Sequence, residues 1–190
     1  PFHNGHAAQL AMLRTKGAQT IAVCMSSGAV QRGELPLLPE PPRVQAALQA
    51  GADLVIALPA PYACATAETF AAAGVHLLAA LGCDTLAFGA ETPDVDALMQ
   101  AAVLLQSADF AMQLRNFLDD GLPFAAARSA AADLLLPGTG ALLQTPNNIL
   151  AVEYCKAILN EGAAIEPLPL PRLGAAHGGT QTGCVENTQY

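Results

Sequence analysis

Two histidines three residues apart, His3 and His6, sit in the opening run PFHNGH with Gly5 between them. A stretch with apolar residues at helical spacing follows at once. The first backbone N–H groups of a helix lack intrahelical partners and carry partial positive charge, so phosphate settles there readily. Two imidazoles at that point can both donate to phosphate oxygens as charge builds in a transition state. Gly5, with no Cβ, lets the backbone approach a nucleotide closely. The plain alternative is that one histidine caps the helix and the other faces solvent. A metal site is disfavoured, because neither cysteine nor carboxylate spacing supports one.

The elements that must hold these histidines follow from the pattern. From His6 to about Lys16 the spacing predicts a helix stopped by Gly17. QTIAVCM (Gln19–Met25) reads as a buried strand of the continuous apolar kind found in parallel sheets. RVQAALQAG, after Pro41 and Pro42, reads as a short helix, and ADLVIALP as a second strand ending at Pro59. A helix between Thr66 and Gly82 leads to a third strand, DTLAFGAE. Three strand–helix alternations with short links predict right-handed βαβ units and a parallel sheet.

Residues 1–93 are therefore expected to form an α/β core. Residues 94–136 turn purely helical, as an insertion or small lid, and 137–173 return to the core. In that return, NNILAVEYCKAILNEG predicts an amphipathic helix with asparagine at its start. AIEPLPLPRLG predicts a last strand at a sheet edge, where prolines are tolerated. Residues 174–190 have no apolar periodicity and are expected to fray.

Of 190 residues, 53% are hydrophobic and 13% charged, which describes a folded chain with a large core. The longest apolar run, Phe70–Cys83, carries His76 and two glycines and is too short to span a bilayer. No membrane association is expected. No basic-then-apolar leader is visible ahead of Pro1, and five scattered cysteines without a C-x-x-C pair read as reduced core thiols; both point to the cytoplasm. A net charge of −8 argues against a general electrostatic grip on nucleic acid, so an RNA partner needs a local basic patch. His76, mid-helix in an apolar segment, reads as a core or interface histidine.

PFHNGH resembles the H-x-G-H motif of the nucleotidyltransferases. VCMSSGAVQRGE, GADLVIALP, AETFAAAGVHLLAALGCDTLAFGAE, PNNILAVEYCKAI and PLPLPR resemble, in order, the tRNA(Met) cytidine acetate ligases. The resemblance implies an α/β fold, a Rossmann-like parallel sheet with flanking helices (nucleotidyltransferase-like) plus a helical insertion. It implies an enzyme that uses ATP, with Mg²⁺ beside it, to turn acetate into acetyl-adenylate. The acetyl group then passes to N4 of the wobble cytidine of elongator tRNA(Met).

By the same resemblance, His3 and His6 are the catalytic histidines that hold the ATP phosphates. Phe2, Asn4 and Gly5 share their loop, and Gly89 lies against the nucleotide. Asn147, Asn148 and Arg172 match positions associated with ATP contact. From the residues alone, Asn147 is also a natural helix N-cap, and Arg172 can neutralise phosphate with its planar fork. Arg32 and Arg43 are candidates for substrate or RNA contact, with an Arg32–Glu34 salt bridge an equal alternative for the former.

The sequence departs from the family pattern in three places. Relatives carry a hydrophobic strand directly before H-x-G-H, expected at the centre of the sheet. They also carry a Ser/Thr-rich, arginine-containing motif after the position of Arg172. Pro39 and Glu40 stand where relatives place an Asp-Lys pair, which changes the local sign of charge. These departures keep two alternatives open: a nucleotidyltransferase with another small substrate, and a non-catalytic nucleotide-binding module.

Overall fold

The computed structural model describes residues 2–30, 35–162 and 164–172. Helix α1 (Asn4–Thr15) leads through Gly17, at φ 96°, into strand β1 (Ala22–Ser26). Helix α2 (Glu40–Gln49) and strand β2 (Leu54–Leu58) follow, with β2 parallel to β1 and Ala22 opposite Leu54. After helices α3 (Ala60–Ala63) and α4 (Ala67–Ala80) comes strand β3 (Thr85–Ala90). Helices α5 (Val95–Leu105), α6 (Ala108–Asp119) and α7 (Phe124–Leu135) fill the stretch expected to be helical. Helix α8 (Thr139–Leu142), the long α9 (Pro146–Glu161) and strand β4 (Glu166–Pro171) complete the order, with β4 parallel to β3 and Thr85 opposite Glu166.

The strands are parallel, as expected, but form two pairs; among the described residues no ladder joins β1–β2 to β3–β4. The prolines of β4 are legible in the register. Glu166 N–H donates to the Asp84 carbonyl at 2.8 Å. In a parallel strand alternate residues face the same neighbour, so Glu166, Leu168 and Leu170 face β3. Pro167, Pro169 and Pro171 turn their donorless nitrogens to the outer edge.

Alanine is what lets the layers close. Ala71, Ala101, Ala102, Ala131, Ala132 and Ala151 are fully buried where α4, α5, α7 and α9 meet. Helix α9 is less one-sided than expected: Val152, Cys155 and Ile158 are buried, and so is the carboxylate of Glu153. Glu153 accepts from Arg128 Nη2 at 2.7 Å and from Lys156 Nζ at 2.8 Å; Lys156 reaches on to Glu68 at 3.0 Å. Burial pushes the Cys155 thiol up to about 12, the environment of an inert core thiol.

A second, smaller core of Leu10, Ile21, Ala47 and Ala52 fixes α1 against β1 and β2. Arg14 reinforces it by donating to Asp53 Oδ2 at 2.5 Å and to the Gln19 carbonyl, while Asp53 also accepts from Ile21 N–H at 2.7 Å. The Ile21 amide, then the Arg14 guanidinium, hold the Asp53 carboxyl below its ordinary range.

Several expectations are corrected. Helix α2 starts at Glu40, before its two prolines, which cost nothing in a first turn whose N–H groups lack partners anyway. Arg43, expected to be available for substrate or RNA contact, is instead 4% exposed and spends its donors on the carbonyls of Leu38 (3.1 Å), Ser26 (2.8 Å) and Ser27. His76 is an exposed surface residue paired with Glu161 at 3.0 Å, and Cys64 is exposed too. The loop before α9 contains α8, pinned where Asp133 Oδ1 accepts from Gly138 and Gly140 N–H at 3.1 and 2.7 Å. Arg32, with Glu34 of the alternative salt bridge, and the tail 174–190 lie outside the described residues.

Candidate functional site

Helix α1 opens on a capping box made of histidines. His3 is the N-cap, with extended backbone, and its Nδ1 accepts from Gly5 N–H at 3.1 Å. His6, at the third helical position, returns the bond: its Nδ1 accepts from His3 N–H at 3.3 Å. The rings stack with centroids 3.9 Å apart. Both histidines, not one, take part in the cap, and the same two residues remain the candidates for chemistry. An imidazole nitrogen that accepts cannot carry the proton, so while these two bonds are made the proton of each ring lies on Nε2. The cap thereby fixes a tautomer whose remaining N–H can donate to an anion.

His6 is pushed down to about 4, first by burial, then by the charge His3 carries when protonated and by the Arg172 guanidinium. It is neutral at pH 7, as its accepting role requires. We expect its NMR resonances to show the Nε2–H pattern with no inflection between about pH 5.5 and 8. An inflection near 6.5 would contradict the capping geometry. Because the unfolded imidazole titrates near 6.5 and the folded one near 4, His6 favours the fold above that window, and the contribution is lost as pH falls through it.

Four elements converge on this turn. A cleft of about 170 Å³ is lined by His3, Gly5, His6 and Gln9 from α1, Gly89 from β3, Asn147 from α9 and Arg172 just after β4. It lies beyond the carboxyl ends of β3 and β4, where open α/β sheets gather ligands. Gly89 makes room: a Cβ there would stand 2.8 Å from Gln9 Nε2 and 3.4 Å from Arg172 Cγ. Behind the lining, Glu91 accepts from Asn147 Nδ2 at 2.5 Å and Asn148 N–H at 2.8 Å, and pairs with Arg172 Nη1 at 3.5 Å. A roomier hollow of about 320 Å³, lined by Pro59, Tyr62, Ala72, Ala73 and Leu77 together with Thr69 and His76, is mainly apolar.

The structure thus brings together six expected residues: His3, Gly5, His6, Gly89, Asn147 and Arg172. It separates the two asparagines. Asn147 lines the cleft, whereas Asn148 is 2% exposed, with its amide shared between Thr92 N–H (2.9 Å) and Thr92 Oγ1 (3.2 Å). Neither is the cap of α9; Thr145 holds that position and Pro146 follows it. Phe2 supports the His6 ring at 5.4 Å and packs into the smaller core, and neither it nor Asn4 lines the cleft. Sequence reasoning missed Gln9 and Glu91. The available signals were that Gln9 lies one helical turn beyond His6, and that Glu91 closes the FGAE run.

Residues 1–186 match the HIGH nucleotidyl transferase family. The chain belongs to that family. As a HIGH nucleotidyl transferase it is 41% identical over 182 residues to the tRNA(Met) cytidine acetate ligase of Syntrophotalea carbinolica, covering 93% of this chain and 43% of that protein. It is 40% identical over 198 residues to the enzyme of the same name from Alkaliphilus metalliredigens, covering 95% and 46%. The apo crystal structure of Thermotoga maritima TmcAL superposes with a TM-score of 0.90 at 30% identity, covering 96% of this chain and 46% of that one. TmcAL bound with alpha-thio ATP matches with a TM-score of 0.86 at 31% identity, covering 91% and 44%. The fold of this HIGH nucleotidyl transferase is accordingly the α/β, Rossmann-like one, with the helices of residues 95–135 inserted. The chain spans just under half the length of the curated relatives it matches.

Proposed function

We propose that the cleft binds ATP and that the protein is a tRNA(Met) cytidine acetate ligase. The observation that carries this reading is the convergence of two Nε2–H imidazoles, an arginine and a space-making glycine on one helix N-terminus. The ATP analogue bound to TmcAL and the names of the curated relatives support the choice of ligand and acceptor.

In the first step an acetate oxygen attacks the α-phosphorus of ATP. The bond from that phosphorus to the oxygen bridging to the β-phosphate breaks, giving acetyl-adenylate and pyrophosphate. Negative charge grows on the α-phosphate oxygens, and preorganised donors stabilise it without reorganising; His3, His6 and Arg172 are those donors. In the second step the N4 amine of the cytidine attacks the acetyl carbonyl, AMP leaves, and the amine loses a proton. Among the described residues no group of three or more His, Cys, Asp or Glu is placed to hold a metal. The cleft residues do not themselves form a magnesium site, and Mg²⁺ would travel with the nucleotide's phosphates. Among the described residues no helix is long and apolar enough to cross a membrane.

Acetate-dependent exchange of labelled pyrophosphate into ATP tests the first step, and acetylation of a tRNA(Met) transcript the second. ATP binding without any effect of acetate on exchange would overturn the ligase reading. Gly89→Ala tests the cleft itself. Its Cβ meets the flexible end of Gln9, so the fold survives, but Gln9 is displaced into the space needed by ligand. We expect ATP affinity to fall about 10–100-fold, or about 1.4–2.8 kcal/mol, with the melting temperature nearly unchanged.

A further inference from the structure

The hydrogen-bonding of Glu91 bears on what the cleft selects, given the reading of it as an ATP site. Asn147 lines the cleft and Glu91 stands behind it, accepting from the Asn147 NH₂ group at 2.5 Å. An ionised carboxylate accepts and never donates, so the amide cannot be reversed. Burial favours the neutral acid, but the bonds from Asn147 and Asn148 outweigh it and hold Glu91 below the usual carboxylate range. With Nδ2 held by Glu91, the Asn147 carbonyl, Oδ1, has no hydrogen bond among the described residues and is the acceptor that a lining residue can offer the cleft.

We infer that Glu91 is a positioning residue that presents the Asn147 carbonyl to the ligand, so that Asn147 reads a hydrogen-bond donor on the nucleoside and not the phosphates. The donors an adenosine nucleotide offers are its N6 amine and its ribose hydroxyls. Phosphate is left to the histidines and Arg172, and Glu91 links the two halves through its pairing with Arg172 at 3.5 Å.

Glu91→Gln makes a sharp test. The Asn148 backbone N–H, 2.8 Å from Glu91 Oε2, cannot turn and claims the single oxygen of the new amide. The NH₂ of that amide then faces Asn147, which must reverse and show its own NH₂ to the cleft. Asn147→Asp added to Glu91→Gln returns an acceptor to that position.

The experiment compares equilibrium binding of ATP, 2′-deoxy-ATP, 3′-deoxy-ATP and purine riboside triphosphate, which lacks the N6 amine. Wild type is expected to favour ATP over at least one analogue by about tenfold, and that analogue identifies the donor. Glu91→Gln brings the ratio near one, and the double variant restores at least threefold preference whatever the absolute affinities. Glu91→Asp, which keeps an acceptor-only group, holds the ratio within about threefold of wild type; this arm serves if Glu91→Gln is unstable. Analogues that all match ATP in wild type, or an unchanged ratio in Glu91→Gln, overturn the role of Glu91 while leaving the ATP reading standing. Failure of wild type to bind ATP overturns both.

Discussion

His6→Gln is expected to lower acetate-dependent pyrophosphate exchange by ~10²–10³ while leaving the fold intact. His6 has two tasks on opposite sides of one ring. Its Nδ1 accepts from His3 N–H and closes the first turn of α1, and in the proposed ATP site its Nε2–H would donate to the phosphates. Glutamine at the third helical position is a natural partner in a capping box, so the substitution preserves the first task and removes the second. Alanine removes both, adding about 1 kcal/mol of lost capping. Thermal melting beside exchange rates separates the two effects. Equal exchange in wild type and His6→Gln would remove the imidazole from the mechanism. The partner variant His3→Ala should fall by a similar factor, and the pair together by less than the product, because stacked rings would serve the same phosphate in the proposed site.

Glu153→Ala is expected to be the most destabilising single change, at about 3–5 kcal/mol. For a chain of this size that is a fall of roughly 6–20 °C in melting temperature. The carboxylate is 5% exposed and serves two cations, Arg128 and Lys156, which are themselves mostly buried. Removing it leaves two positive charges facing each other across α7 and α9 with little water between them. Replacing all three with methionine should recover much of the loss, since apolar groups of similar volume need no such compensation. A cost below about 1 kcal/mol for Glu153→Ala, read from urea unfolding, would show that Lys156 turns fully to Glu68 and Arg128 to solvent.

What the sequence reveals here depends on how local the cause is. Helix α1 and the edge strand β4 are legible because glycine at 17 and alternate prolines from 167 to 171 act within a few residues. Six residues of the cleft are named beforehand through H-x-G-H and the segments that resemble the acetate ligases. The choice between Asn147 and Asn148 is not legible, because the contact that turns Asn148 inward, to Thr92, spans 56 positions. Glu91 is missed for the same reason: its partners lie on α9 and beyond β4. The burial of Arg43 is not legible because the carbonyls that claim it, at the end of β1 and in the loop before α2, lie up to 17 positions away. Among the described residues no ladder joins β1–β2 to β3–β4, and the strand that relatives carry before H-x-G-H is the one expected at the centre of the sheet.

The prolines of β4 have a further effect on the site. An exposed strand edge normally offers alternating donors and acceptors and invites another strand to dock. Here the outer edge carries carbonyls with no N–H groups at 167, 169 and 171, so it can be approached but not zipped. Arg172 is the next residue along. The guanidinium that would hold phosphate thus hangs from a ribbon with one adhesive side, and a stray strand that might drag it out of register finds nothing to grip.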